Sequence, residues 1–230
     1  MKSSAKLAFI FCHGWGFTPQ FWQPLQGYLS SQGIQCYAID LGYENDKDYV
    51  ISQVPSSDID YVGVGHSLGL IKLLNLPLNY RALIGLQSFV NFLGSNPEIK
   101  SKRRRDLERM YRNFQDHPQI TLDRFYQTCE SLDQDSQKSS LQLISPNVQI
   151  LSQDLTELFT PCALPSNIPL FILGTTQDKI VPPSLIYDNF ASAKNVHIDF
   201  YQAKGHHLGY DYSQIVAKKI LDFVNDASQR

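Results

Sequence analysis

No apolar run in this sequence approaches the roughly 20 residues that a membrane-spanning helix needs. The longest, such as LAFIF at residues 7–11, end after a handful of positions. That first run follows Lys2 and Lys6 in the manner of an export signal, but it is too short for a signal core. CHGWG stands where a cleavage site would lie, so the segment reads as a strand and a cytoplasmic location is expected. Cysteine is also scarce: Cys12, Cys36, Cys129 and Cys162 are scattered with no metal-ligand spacing between any pair. Isolated thiols in apolar runs are packing groups of a reduced protein, so no disulfide, metal or other cofactor is expected. Charge is sparse too, at 18% of residues with a formal net charge of −2. Without a phosphate-binding glycine loop or a basic balance, nucleotide and nucleic-acid partners are excluded, as is a membrane. What remains is 230 residues, 43% of them hydrophobic, enough for one well-buried core and a monomer.

Apolar, β-rich runs bounded by turn residues recur along the chain: KLAFIFC (6–12), IQCYAID (34–40), YVGVG (61–65), RALIGLQSF (81–89), PLFILG (169–174) and VHIDFYQ (196–202). Helical patterns fall between most of them, at 20–31, 68–75, 183–193 and 213–225. Nearly continuous apolar strands alternating with helices predict an α/β fold: a mostly parallel sheet covered on both faces. Between Gly42 and the strand at 61 there are only about eighteen residues, little room for a helix.

One interval breaks the alternation. From 95 to 160 there is no convincing strand, only amphipathic helical pattern, which predicts a helical lid inserted between core halves at 1–94 and 161–230. Leu107, Met110, Tyr111 and Phe114 share one helical face, and Leu122, Phe125, Tyr126 and Cys129 share another. The same interval holds the strongest local charge in the chain: from Glu98 to Arg112 there are seven Lys or Arg against three Asp or Glu. Arg105, Arg109 and Arg112 fall opposite the first apolar stripe, as either a solvated face or a docking surface for an acidic partner.

GHSLG at 65–69 matches G-x-S-x-G, a weak pattern alone. Here it follows an apolar strand and opens a helix, the context that a strained nucleophile turn requires. Ser67 is therefore the candidate nucleophile, with a helix N-cap as the alternative role. A serine hydroxyl needs a positioned base, and the base needs an orienting carboxylate. Asp178 follows the strand ending in LFILGTTQ, and His206 follows VHIDFYQAKG, both at strand ends and in the order Ser, Asp, His. His207 is adjacent and remains an alternative base, although His206 directly follows Gly205. An oxyanion would be held by the N–H of Leu68 and an N–H of the HGWG loop at 13–16, most naturally Trp15, whose side chain would wall the acyl site.

Taken together these segments resemble the α/β-hydrolase superfamily over nearly the whole chain. Within it, FIFCHGWGFTPQFW, YQAKGHH and TLDRFYQTC are similar to the opening loop, histidine loop and lid helix of pimeloyl–acyl-carrier-protein methyl ester esterases of biotin synthesis. The resemblance implies a serine carboxylesterase with Ser67, Asp178 and His206 as its triad and Trp15 and Leu68 as oxyanion donors. It implies that Trp15, Ser67 and Leu68, with Phe125, Tyr126, Gln127, Thr128 and Cys129, contact the acyl chain. It also implies that the partner is an acidic acyl-carrier protein, met by Arg105, Arg109, Arg112 and Arg124 on the lid. A general short-chain esterase, lipase or thioesterase would use the same triad, and a non-catalytic binding module would keep the fold alone.

Overall fold

The computed structural model describes residues 6–45, 59–129 and 141–227. Six strands form one sheet in the order β2-β1-β3-β4-β5-β6, and every neighbouring pair is parallel. They are β1 (Lys6–Cys12), β2 (Gln35–Ile39), β3 (Ile59–His66), β4 (Tyr80–Leu86), β5 (Leu170–Gln177) and β6 (Val196–Lys204). All six runs read from the sequence are strands. The fourth is shorter than expected: β4 stops at Leu86, and Gln87 and Ser88 turn away from the sheet. The short interval after Gly42 falls mostly outside the described residues.

Helices α1 (Gln23–Ser31), α2 (Gly69–Leu74) and α6 (Pro183–Phe190) make the crossovers, and α7 (Leu208–Asp211) and α8 (Ser213–Ala227) close the chain. Right-handed crossovers place α1 on one face, because β2 lies on one side of β1, and α2 and α6 on the other, because β4 and β6 lie in the opposite direction. Helix α8 packs on α1 and completes the first face. The chain thus leaves β1 and β3, which are neighbours, in opposite directions, and a crevice opens beyond their carboxyl ends. The loops HGWG and GHSLG lie at that point.

Three helices stand between β4 and β5: α3 (Pro97–Asp116), α4 (Pro118–Cys129) and α5 (Val148–Glu157). Asn96 starts α3, its side chain accepting from the N–H groups of Glu98 and Ile99, with Pro97 in the first turn where no N–H is needed. Leu107 and Phe114 are buried along the inner stripe of α3, while Arg105, Arg109 and Arg112 are exposed. Part of the basic run packs against aromatic rings. Arg103 donates to the carbonyl of Phe92 at 3.1 Å with its guanidinium over that ring, and Arg104 lies over Phe159. Helix α5 is held to α2. Lys72 on α2 donates to Asp154 and Glu157 at 2.7 Å each, and the buried Asp154 also accepts from the Tyr43 hydroxyl. Burial alone would lower the Lys72 pKa, but the two carboxylates outweigh it and raise it above the ordinary value. Among the described residues no helix is long and apolar enough to cross a membrane.

Candidate active site

Ser67 sits between the end of β3 and the start of α2 at φ +54°, in the left-handed region that a non-glycine residue occupies only under tertiary constraint. Its N–H donates to Leu86 O at 3.0 Å, tying the turn to β4. The flanking glycines are steric necessities. A Cβ on Gly69 would come within 2.1 Å of the Cys12 carbonyl oxygen, and one on Gly65 within 2.4 Å of the Leu70 nitrogen. The spacing of the motif therefore records how closely α2 packs onto β1 and β3.

Asp178, immediately after β5, is buried, yet each of its oxygens is satisfied. Oδ1 accepts from the N–H groups of Ile180 and Val181 at 2.8 and 3.0 Å. Oδ2 accepts from His206 Nδ1 at 2.6 Å and from Gln87 Nε2 at 2.7 Å. Four donors thus satisfy the buried carboxylate without water. His206 is fully buried, and its other ring nitrogen, Nε2, has no hydrogen-bond partner. With Nδ1 donating to Asp178, Nε2 is left as a bare acceptor, the tautomer a general base requires. Ser67 Oγ is not bonded to it in this state, and such bonds tighten when substrate arrives.

The two histidines at 206 and 207 divide. His207 packs edge-on to Phe17 at 5.4 Å between ring centroids, leaving the acid to His206. Another histidine, His66, ties the base loop to the elbow, its Nε2 donating to the His206 carbonyl at 2.9 Å. Burial, and then the neighbouring His206 and His207, hold the His66 pKa well below its ordinary value, so it stays neutral.

The HGWG loop presses directly on the serine turn. A Cβ on Gly14 would lie 3.0 Å from Ser67 Cβ. His13 anchors this loop. Its Nδ1 donates to Gly14 O at 3.0 Å and its Nε2 accepts from Leu41 N–H at 3.1 Å, and burial pulls its pKa down to about 4. Neither the Trp15 N–H nor the Leu68 N–H has a backbone acceptor among the described residues. Buried backbone donors are rarely left unpaired, which makes these two N–H groups candidate oxyanion donors. The Trp15 side chain donates to Leu151 O on α5 at 2.9 Å, and its ring meets Phe114 and Phe125 edge-on at 5.4 and 5.0 Å.

Helix α4 brings some of the expected acyl contacts to the site but not all. Phe125 lies against Trp15. Tyr126 is buried and its hydroxyl donates to Gly16 O at 2.7 Å. The carbonyl of Cys129, also buried, accepts the His206 N–H at 2.8 Å. Gln127 and Thr128 do not join them. Both are exposed, and the Thr128 hydroxyl turns back to Arg124 O at 2.8 Å. A helix sends residues one and two positions apart to different faces, so five consecutive residues do not share one wall. Arg124 is exposed on the same helix.

Gln87 was not foreseen. It joins Asp178, Thr175, Gly205 and Leu208 from a single buried amide. Its only signal in the sequence is a polar pair, Gln87-Ser88, interrupting the apolar end of a strand. A cavity of about 660 Å³ lies elsewhere. Its lining includes Phe171, Val196, His197 and Phe223, near the amino ends of β5 and β6 and away from the loops that follow those strands. Ser67 itself is only 8% exposed beneath the inserted helices.

A parallel sheet whose switch point carries a serine on a strained strand-to-helix turn, with acid and base loops after later strands, is the architecture of the α/β hydrolases. The chain belongs to this family: the profile of the alpha/beta hydrolase family matches residues 9–218. Solved structures of the same fold include an esterase, EaEST, from Exiguobacterium antarcticum at TM-score 0.77 and 13% identity, covering 96% of this chain and 92% of that one. A lipase-esterase related protein from Clostridium acetobutylicum is similar at TM-score 0.70 and 16% identity, with 96% and 95% covered. MenH from S. aureus is similar at 0.68 and 14%, with 98% and 96% covered. Among curated proteins none matches significantly.

Proposed function

We propose that the protein is a serine carboxylesterase and that its substrate is the methyl ester of pimeloyl–acyl-carrier protein. The observation that carries the esterase reading is the buried Asp178–His206 pair, 2.6 Å apart, with Nε2 as its one unbonded ring nitrogen. Ser67 Oγ attacks the ester carbonyl carbon as its proton passes to His206 Nε2. The N–H groups of Trp15 and Leu68 hold the oxyanion. Collapse breaks the bond to the methoxy oxygen, which takes the proton from His206 and leaves as methanol. His206 then deprotonates a water that attacks the acyl-serine, and the free acid departs as Ser67 recovers its proton. Asp178 keeps the tautomer fixed and stabilises the transient imidazolium.

The carrier-protein part rests on the likeness of the opening, histidine and lid segments and on the exposed arginines of α3 and α4, which suit an acidic partner. A second reading, a short-chain esterase without a carrier, is favoured by the closely packed aromatic wall of Trp15, Phe17 and Phe125 over a serine 8% exposed. Purified protein is tested on the carrier-bound methyl ester and on p-nitrophenyl acetate, with Ser67→Ala as control. Hydrolysis of both is expected. Hydrolysis of the small ester with none of the carrier-bound ester would leave the second reading standing, and rescue of a biotin auxotroph lacking its methyl esterase would then fail as well.

A further inference from the structure

The Gln87 side chain makes four hydrogen bonds, as many as Asp178, yet the reaction sequence does not use it. It follows the last residue of β4, is inaccessible to solvent, and sits at φ +48°. A glutamine in that backbone region is held there by its surroundings. Its N–H still donates to Leu173 O at 2.8 Å, so the sheet ladder is kept while the side chain turns toward the ends of β5 and β6. Nε2 lies 2.7 Å from Asp178 Oδ2, 2.7 Å from Gly205 O and 3.1 Å from Thr175 Oγ1. Oε1 accepts from Leu208 N–H at 2.8 Å. The Thr175 hydroxyl gives its hydrogen to Gly205 O at 2.9 Å, which leaves its oxygen an acceptor beside the carboxylate and the Gly205 carbonyl for the two amide hydrogens.

These bonds have a geometric and an electrostatic effect. Gly205 and Leu208 bracket the two histidines, so one amide fixes both ends of the base loop and joins them to the acid. Asp178 Oδ2 is also the oxygen that accepts from His206 Nδ1. An oxygen shared between two donors holds an imidazolium less strongly than one reserved for it. We propose that Gln87 is a positioning residue for ester hydrolysis, locking the acid and base loops into one unit and moderating the pull of Asp178 on His206. This rests on the reading of Ser67, His206 and Asp178 given above. A primary amide of this length is suited to the place because it donates twice and accepts once without charge. Glutamate would set a carboxylate against Asp178, and methionine keeps the length but loses every bond.

The titratable side chains around His206 are Asp178 after β5, His66 at the end of β3 with its ring 4.6 Å away, the adjacent His207, and Cys129 on α4. The test is kcat/KM for p-nitrophenyl acetate from about pH 5 to 9 in wild type, Gln87→Met and Gln87→Glu, normalised to the fraction of Ser67 labelled by a fluorophosphonate. For Gln87→Met, kcat is expected to fall by up to about 100-fold with KM nearly unchanged. The acidic limb of the profile should move upward. For Gln87→Glu the limb should move further, because a second carboxylate favours the imidazolium. A limb unmoved in both, with activity per labelled site equal to wild type, overturns the proposal and leaves Gln87 only a packing role. If Gln87→Met is not recovered folded, the isosteric glutamate variant decides alone. Wild type that escapes labelling, or Ser67→Ala that still turns over, sinks the catalytic reading and this proposal with it. A labelled, active wild type, with limb and activity per labelled site unchanged in the variants, sinks this proposal alone.

Discussion

The main-chain N–H of His206 donates to the carbonyl of Cys129 at 2.8 Å. The donor lies in the loop of the proposed base and the acceptor is the last residue of α4. From the same helix, the Tyr126 hydroxyl reaches Gly16 in the loop on the other side of Ser67. Helix α4 therefore bridges the His206 loop and the HGWG loop, so the insertion is part of the candidate site.

Tyr126→Phe tests that bridge. It removes the donor to Gly16 O and the acceptor of the Leu143 N–H, which lies 3.1 Å from the hydroxyl. Loss of one or two such bonds costs about 1–2 kcal/mol. If that loss is felt in placing the Trp15 N–H, kcat falls about tenfold on every ester with little change in KM. Steady-state kinetics on two esters of different acyl length check it. A wild-type kcat would mean that the glycine loop keeps its place without the tyrosine.

Ser67 is expected to show the opposition between stability and activity that strained nucleophile turns carry. Ser67→Gly should abolish turnover yet raise unfolding free energy by about 1 kcal/mol, since glycine takes φ +54° without strain. Ser67→Ala should be equally inactive but within about 0.5 kcal/mol of wild type, because its Cβ keeps the strain. Urea denaturation of the three proteins separates the two effects.

The pH dependence of stability should carry the signature of His13. In the unfolded chain it takes its proton near its ordinary value of 6.5, whereas in the fold burial delays this to about 4. The unfolded state thus binds more protons between those values, so the contribution is complete above 6.5 and is lost as pH falls toward 4. Its size is about 3 kcal/mol. His66, also held neutral by burial, acts in the same direction. His13→Gln, which can still accept from Leu41, should flatten the stability profile across this window in urea titrations at several pH values.

Reversing Arg105, Arg109, Arg112 and Arg124 to glutamate tests the docking face. KM for the carrier-bound ester should rise about tenfold or more and lose most of its salt dependence, while p-nitrophenyl acetate hydrolysis stays within about twofold. The pair of Arg109 with Asp106 is open to solvent on both sides, so its loss costs the helix little. Equal losses on both substrates would assign the arginines to the helix itself.

The central strands β1, β3, β4 and β5 were legible because each is buried along most of its length and so is written as a nearly unbroken apolar run. The edge strands β2 and β6 are only half-buried and show as β-rich segments between turn residues. The triad candidates were legible because strand ends are where such a run gives way to polar residues, as at Asp178 and His206. What sequence could not disclose was any position set by contacts from several elements at once. Gln87 reads as strand because LQSF continues the pattern of β4, and its turn into the left-handed region depends on acceptors after β5 and β6. Gln127 and Thr128 lie at the surface for a different reason. A likeness transfers a contiguous segment, but a helix splits that segment between wall and solvent. Arg103 shows the same limit for charge: it reads as one of a surface run and is instead half-buried over Phe92.

Lys72, within two turns of Ser67 on α2, binds Asp154 and Glu157 of α5. Helix α5 therefore inherits the constraints of the nucleophile helix, and a change in either must be answered in the other. Among the described contacts, α3 has no hydrogen bond to the loops bearing Ser67, Asp178 or His206; it reaches the site through Phe114 against Trp15. Tolerance to sequence drift is thus uneven along the insertion. Helix α3 is the segment whose outer face can be rewritten, residue by residue, with the least effect on the packing around Ser67.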